Sequence, residues 1–309
     1  MSKQATKDAK ENPYTGLQLW KIIGMFALVY AVVQLAIGVI RTGEQFLMDS
    51  INASDNVRVF LGSTVSRASM VAAILLITTP VIRSVYKKPG LEGLYPIGPK
   101  HWKDLLVGMA IAACAMVIVF LVTYALGFIR VSGFALQGQP VDTWLRTAWL
   151  ALLVNAVTAI SNEVLYRGLL LQGVEISWDK WGALFISSII FGGSQVMTAI
   201  ATESNWLDFI PLLALPGMML GWAYLRTGNL WLATGIHFAW NLFQDDILNL
   251  TGMHHGDTLF GLETSVTGPQ WFIGSFYGIE VGAAGVICLL LVCAGIWCWT
   301  QRQNIVIGE

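Results

Sequence analysis

Residues 105–122 read LLVGMAIAACAMVIVFLV, an apolar stretch that contains no charged or amide side chain. A helix needs about 20 apolar residues to cross a hydrocarbon core of about 30 Å, whereas a membrane-spanning strand needs only about 9–11. Backbone groups inside lipid must be hydrogen-bonded within a helix or a closed barrel. The stretch is too long for a barrel strand, so it predicts a transmembrane helix over residues 104–128.

The composition of the whole chain supports the same interpretation. Of its 309 residues, 55% are hydrophobic and 12% are charged, and the net charge is −1. A soluble domain carries about 25% charged residues, so the polar surface here is too small to cover a water-soluble body of this size. The low net charge also provides no basic surface for nucleic acid. The composition indicates an integral membrane protein and argues against a soluble enzyme, a disordered scaffold or a nucleic-acid binder.

Apolar runs of this kind occur eight times and predict an all-α, polytopic membrane helix bundle in a single domain over residues 1–309. The predicted spans are residues 19–40, 60–82, 104–128, 146–171, 181–200, 209–226, 230–250 and 271–299. Residues 1–16 form a polar N-terminal tail. Residues 41–59 mix apolar and polar side chains and are a candidate interfacial helix.

The distribution of lysine and arginine between the loops predicts the orientation in the membrane. With eight spans, the side that holds both termini carries Lys3, Lys7, Lys10, Lys21, Arg83, Lys87, Lys88, Lys100, Lys103, Lys180, Arg226 and Arg302. The opposite side carries only Arg41, Arg58, Arg130 and Arg146. We therefore expect a multi-pass protein of the plasma (inner) membrane, with the tail and both termini in the cytoplasm.

A few ionisable side chains interrupt the predicted spans, at a cost of about 2.5–3.5 kcal/mol each on insertion scales. Glu163 and Arg167 lie four residues apart in the fourth span, so they share a helix face and can form an ion pair. A purely structural pair that lets a polar helix end tolerate the membrane is the simpler interpretation. Arg67 and Glu280 are expected to pair with each other or with backbone groups.

Two further helices carry a polar or polar-aromatic pair at the same spacing. Phe191 and Gln195 share a face of the fifth span, where paired glycines permit close helix packing, and His237 and Asn241 share a face of the seventh. Taken singly, each pair has a structural explanation, as helix packing or as a satisfied histidine. Together, the three pairs on neighbouring helices predict a hydrated pocket within the bilayer.

These stretches resemble the motifs of the CPBP family, the membrane-embedded CAAX-type proteases and bacteriocin-processing enzymes also called Abi proteins. That family carries E-E-x-x-x-R, F-x-x-x-H and H-x-x-x-N or D on separate helices. The corresponding stretches here are Asn162–Arg167, Phe191–Gln195 and His237–Asn241, in the same order, within a family-like core of about residues 145–245. The resemblance implies an intramembrane endopeptidase that hydrolyses a peptide bond near the membrane surface.

Two positions depart from the family pattern. Asn162 stands where the family has its first glutamate, and Gln195 stands where it has the histidine of the second motif. The resemblance implies that this glutamate and histidine deprotonate the attacking water, and that the third motif stabilises the oxyanion. Glu163 matches the second glutamate of the first motif. The candidate catalytic residues that remain are Glu163, Arg167, His237 and Asn241.

The replacements leave more than one function open. An amide does not accept a proton near pH 7, and general-base catalysis contributes about 10²–10⁴-fold, so the enzyme would be slow unless Glu163 or Asp245 supplies the missing carboxylate. The alternative is a catalytically degenerate pseudoprotease that acts as a membrane scaffold or regulator. A small-solute or proton-coupled carrier would use the same polar groups, but the chain lacks the repeats that carriers often show.

The expected partners are a peptide or membrane-protein substrate, or a partner membrane protein, together with the lipid bilayer and without nucleic acid. We expect no cofactor and no metal. The zinc-binding helix pattern H-E-x-x-H is absent, and the alternative ligand set of Glu163, His237 and Asp245 contains a single histidine.

Overall fold

The computed structural model describes residues 19–52, 58–201, 214–250, 260–274 and 278–302, and the predicted tail at residues 1–16 lies outside them. The helices are α1 Leu19–Ser50, α2 Ser63–Ser84, α3 Leu91–Leu94, α4 Pro99–Ala125, α5 Val141–Asn162, α6 Gln172–Ser177, α7 Lys180–Ala201, α8 Leu215–Thr227, α9 Trp231–Asn241, α10 Gln270–Ile273 and α11 Ala283–Arg302. Three segments are π-helical: Arg58–Gly62, Glu163–Leu171 and Leu242–Ile247. Ile279–Val281 forms a 3₁₀ turn, and the strands are β1 Ile129–Phe134 and β2 Leu262–Val266.

Five helical segments of the described residues are long and apolar enough to cross a membrane, which confirms a largely helical membrane protein. They are Leu19–Ser50, Phe60–Ser84, Pro99–Ala125, Val141–Ser177 and Ala283–Arg302. The fourth is continuous because α5, the π-helical segment and α6 follow one another without a break. Helices α7, α8 and α9 lie where the other three spans are predicted.

Two boundaries predicted from the sequence were wrong. The last long helix begins at Ala283 rather than at residue 271, because Gly274 and Gly278 adopt φ angles of 83° and 80° that glycine reaches without steric cost. The interfacial helix expected over residues 41–59 is not separate. Helix α1 continues to Ser50, since no proline interrupts this part of the sequence.

A small antiparallel sheet was not predicted either. Strands β1 and β2 pair from Ile129 opposite Val266 to Phe134 opposite Leu262, with an irregularity between Val131 and Gly133. The strands lie outside the long apolar runs and have little hydrophobic alternation. Sequence patterning therefore contained almost no signal for them.

The most extensive contact between helices joins α4 and α9, and two glycines make it possible. A Cβ atom on Gly235 would lie 2.2 Å from the carbonyl oxygen of Leu105, and one on Gly108 would lie 2.5 Å from that of Leu232. Small residues at helix interfaces let backbones approach closely in membranes. Because α9 also carries His237, this backbone contact determines where the histidine lies.

Gly235→Ala is expected to destabilise the protein by about 1–3 kcal/mol, because the added methyl group overpacks a backbone contact. Thermal unfolding in detergent measures the effect as a lower midpoint. Gly24→Ala on α1 is the matched control, since a Cβ there meets no atom within 4 Å and alanine favours a helix over glycine. A midpoint for Gly235→Ala equal to that of the control would contradict the close approach of α4 and α9.

Candidate active site

The first motif lies where the fourth span changes from α-helical to π-helical geometry. Glu163 is the first residue of the π-helical segment, which continues to Leu171. Such segments are rare and are frequent at functional sites. They add a residue to each turn, so the direction of each side chain departs from that expected for a regular helix. Asn162 is half-buried, whereas Glu163 is fully buried.

Glu163 stands at the centre of a buried polar cluster. Its Oε1 atom accepts a hydrogen bond from Arg167 Nη1 at 3.0 Å and lies 2.8 Å from His237 Nδ1. The relative exposures of the three residues are 0%, 2% and 7%. The ion pair predicted from the i, i+4 spacing is confirmed, and His237 joins it from a different helix.

Arg167 connects this cluster to two more helices. Its Nη2 atom donates to the carbonyl oxygen of Gly217 on α8 at 3.1 Å, and its guanidinium lies over the ring of Phe191 on α7, 4.6 Å from the centroid. The Phe191 ring in turn meets that of His237 edge-on at 6.3 Å. A cation over an aromatic face is stabilised by the ring. Residues of all three motifs therefore lie around the Arg167 guanidinium: Arg167 itself, Phe191 and His237.

The remaining motif residues border the cluster without joining its hydrogen bonds. Gln195 follows Phe191 by one turn of α7, and Asn241 follows His237 by one turn of α9. Both side chains are half-buried, as is Asn162. In the part of the chain that the structure describes, none of the three amides is hydrogen-bonded to Glu163, Arg167 or His237.

A second polar group lies further along the same helices. Asn155 Nδ2 donates to Asp246 Oδ2 at 2.6 Å in a fully buried contact. Asn155 precedes Glu163 by eight residues, about 80° around a regular helix, so helix spacing alone did not identify it from the sequence. Asp245, considered as a substitute base, is buried and accepts a hydrogen bond from Gln244 at 3.3 Å.

Of the two expectations for Arg67 and Glu280, a contact with each other is not formed, and the pairing with backbone is seen for Arg67. Arg67 donates to the carbonyl oxygen of Ser63 at 3.5 Å, whereas Glu280 accepts from Trp240 at 2.6 Å and from Gln244 at 3.2 Å. Burial raises the pKa of the Glu280 carboxyl. The alternative metal ligands are not assembled either, because no group of three or more His, Cys, Asp or Glu residues in the described ranges could hold a metal.

An apolar cavity of about 930 Å³ lies beside the buried cluster. Ile160 of α5 and Thr234 of α9 line it, three residues before Glu163 and His237 respectively. Tyr95 also lines it, with its hydroxyl 2.9 Å from that of Thr234, and burial raises the pKa of its phenol. Sequence reasoning missed Tyr95 and Thr234, because a loop residue and a helical threonine bear no motif.

The helical fold and the buried Glu–Arg–His cluster define an integral membrane protein with an intramembrane polar site. Residues 144–243 match the family model described as type II CAAX prenyl endopeptidase Rce1-like. All three motif stretches lie inside this range, and the match confirms the resemblance to the CPBP family over it. No curated protein and no solved structure matches the chain.

Arg167→Met is expected to cost about 3–5 kcal/mol of stability, because it leaves the Glu163 carboxylate buried without its counter-charge. Unfolding midpoints in detergent measure this. The double variant Glu163→Gln with Arg167→Met is expected to recover part of the loss, since neither charge then remains. Arg83→Met is the matched control, because its ion pair with Glu92 is exposed and such pairs contribute little. Equal midpoints for Arg167→Met and Arg83→Met would contradict the burial of the ion pair.

Proposed function

We propose that the protein is an intramembrane endopeptidase in which His237 activates the attacking water and Glu163 orients His237. The observation that carries this proposal is the 2.8 Å contact between Glu163 Oε1 and His237 Nδ1. A neutral imidazole donates through one nitrogen and accepts through the other. With the carboxylate accepting at Nδ1, the lone pair of the ring lies on Nε2, which has no hydrogen-bond partner among the described residues.

This assignment supplies the base that the two amides of the motifs lack. His237 Nε2 takes a proton from water, the water oxygen attacks the peptide carbonyl, and the proton then passes to the leaving amine. The Glu163 carboxylate stabilises the imidazolium that forms, while Arg167 holds the carboxylate from the other side. A positioned base of this kind contributes about 10²–10⁴-fold to the rate.

The half-buried amides of Asn162, Gln195 and Asn241 have a separate role in this proposal. An amide cannot serve as a base, but its NH₂ group donates hydrogen bonds. Donors aimed at a developing oxyanion are worth about 10²–10³ each in kcat. The replacements at Asn162 and Gln195 thus remove proton acceptors from the motifs and keep hydrogen-bond donors beside the reacting carbonyl.

The substrate we propose is a membrane-associated peptide or protein with an apolar attachment. The 930 Å³ cavity next to the cluster is lined mainly by apolar side chains, including Leu75, Met109 and Phe238, and has room for an isoprenoid chain. The description of the matched family names prenylated substrates. A lipid chain bound in this cavity would hold the adjoining peptide beside His237.

Cleavage of a fluorogenic farnesylated peptide with a free carboxyl terminus tests the proposal, with the same peptide lacking the farnesyl group for comparison. His237→Ala is expected to lower kcat by about 10²–10⁴-fold through loss of the base. Glu163→Gln keeps the size of the side chain but loses its charge. It is expected to lower kcat and to change KM by a smaller factor. Cys114→Ala, exposed on α4, serves as the control with unchanged activity. Full turnover by His237→Ala would refute the assignment of the base.

The second candidate function is a pseudoprotease that binds a peptide or partner membrane protein and acts as a scaffold or regulator. The amides at Asn162 and Gln195 favour it, because both positions lack a group that accepts a proton. The double variant Asn162→Glu with Gln195→His separates the two functions. If the wild type binds the farnesylated peptide without cutting it and the double variant cuts it, the scaffold function replaces the proteolytic one.

The finer topology is part of the same proposal. We propose eight membrane-crossing helices, namely the five long segments together with α7, α8 and α9. We also propose that the membrane is the plasma (inner) membrane and that both termini lie in the cytoplasm. The excess of lysine and arginine on one side supports this orientation. It places α3, whose Leu91 and Glu92 line the apolar cavity, on the cytoplasmic side.

A further inference from the structure

A second cavity, of about 730 Å³, lies between the end of α1, the start of α2 and the second half of α5. None of Glu163, Arg167 and His237 lines it, so it is separate from the candidate active site. Three arginines face it, Arg41, Arg58 and Arg67. The proposed function gives no role to any of them.

Positive charge exceeds negative charge around this cavity. Among the residues that the structure describes, Glu44 is the one carboxylate that lines it, and Asp49, which pairs with Arg58, lies outside the lining. Arg67 is close enough to Arg41 to be repelled and to Glu44 to be attracted. Like charges near a bilayer raise each other's free energy in a medium of low dielectric constant. An anion between them would remove this cost.

The guanidinium of Arg67 has N–H groups that can donate hydrogen bonds to such an anion. It lies within the second long apolar segment, half-buried, and its hydrogen bond to Ser63 is long, at 3.5 Å. A guanidinium presents several N–H donors in a planar fork that matches phosphate oxygens. The hydroxyl groups of Ser66 and Thr158 also line the cavity and can donate to the same ligand.

The surroundings of the cavity indicate which anion it takes. Phe46, Leu61 and Val65 lie within two residues of its lining residues in the sequence and are exposed by 73%, 50% and 52%. Trp149, whose ring lies tilted 6.4 Å from that of Phe60, is exposed too, and tryptophan is typical of the membrane–water interface. These side chains would contact acyl chains, so the ligand can have both an apolar part outside the cavity and a charged part inside it.

We infer that this cavity binds the phosphate headgroup of an anionic phospholipid. An arginine fork matches phosphate oxygens on either side of a membrane. In the proposed topology the cavity lies on the non-cytoplasmic side, so its ligand is a lipid of that leaflet, and 730 Å³ is ample for a phosphodiester with a glycerol. The lipid would join α2 to α5 about one turn before Asn162 and Glu163. It is expected to stabilise the fold whether or not the protein cuts peptides.

The inference is tested by thermal unfolding of detergent-purified protein in the presence of dioleoyl phosphatidylglycerol, dioleoyl phosphatidylcholine or inorganic phosphate. Phosphatidylglycerol near saturation is expected to raise the midpoint of the wild type by about 5 °C, and the other two additions are expected to raise it far less. Arg41→Gln with Arg67→Gln is expected to abolish the rise. Arg130→Gln, an exposed arginine on β1, is the charge-matched control and keeps it.

Three results would overturn the inference: an equal rise with phosphatidylcholine, an equal rise with inorganic phosphate, or a full rise in the double variant. The second would assign the cavity to a soluble oxyanion. If the double variant does not fold, Arg67→Lys keeps the charge without the fork, and its rise is expected to be smaller than that of the wild type. Native mass spectrometry of the wild type adds an independent measurement, in which a retained phosphatidylglycerol supports the site and its absence after purification with that lipid contradicts it.

Discussion

The ion pair between Glu163 and Arg167 is the constraint around which the motif helices are arranged. Both side chains are buried in a protein whose surroundings are apolar, where removing charges from water costs several kcal/mol per ion unless every partner is well placed. The compensation comes from three other helices: His237 on α9, the Gly217 carbonyl on α8 and the Phe191 ring on α7. The helices that bear the motifs therefore depend on one another through this charge.

Backbone geometry brings those partners into range. Gly108 and Gly235 allow α4 and α9 to meet at backbone distance, which sets the position of His237. The π-helical segment that begins at Glu163 sets the direction of its side chain. Together, the close helix contact and the π-helical segment place the Glu163 carboxylate oxygen 2.8 Å from the His237 imidazole nitrogen. In the proposed mechanism, a base assembled in this way needs no carboxylate at the position of Asn162.

Helix α5 separates two cavities of different character. The apolar cavity uses its Ala156 and Ile160 side, and the arginine-lined cavity uses Val157 and Thr158. Both approach the start of the π-helical segment, from opposite sides of the helix. If the first holds the lipid chain of a substrate and the second a lipid of the bilayer, the helix that carries Glu163 is held on both sides by membrane components.

The sequence by itself determined the membrane class, the approximate positions of the long helices and the pairing of Glu163 with Arg167, because apolar run length and i, i+4 spacing are properties of contiguous residues. It also identified His237 as a site residue through its motif. Only the tertiary structure decided that Glu163 meets His237, that Arg167 reaches Gly217 and that Asn155 meets Asp246. These partners lie 74, 50 and 91 residues apart, and their contacts depend on helix rotation and packing, which local periodicity does not encode.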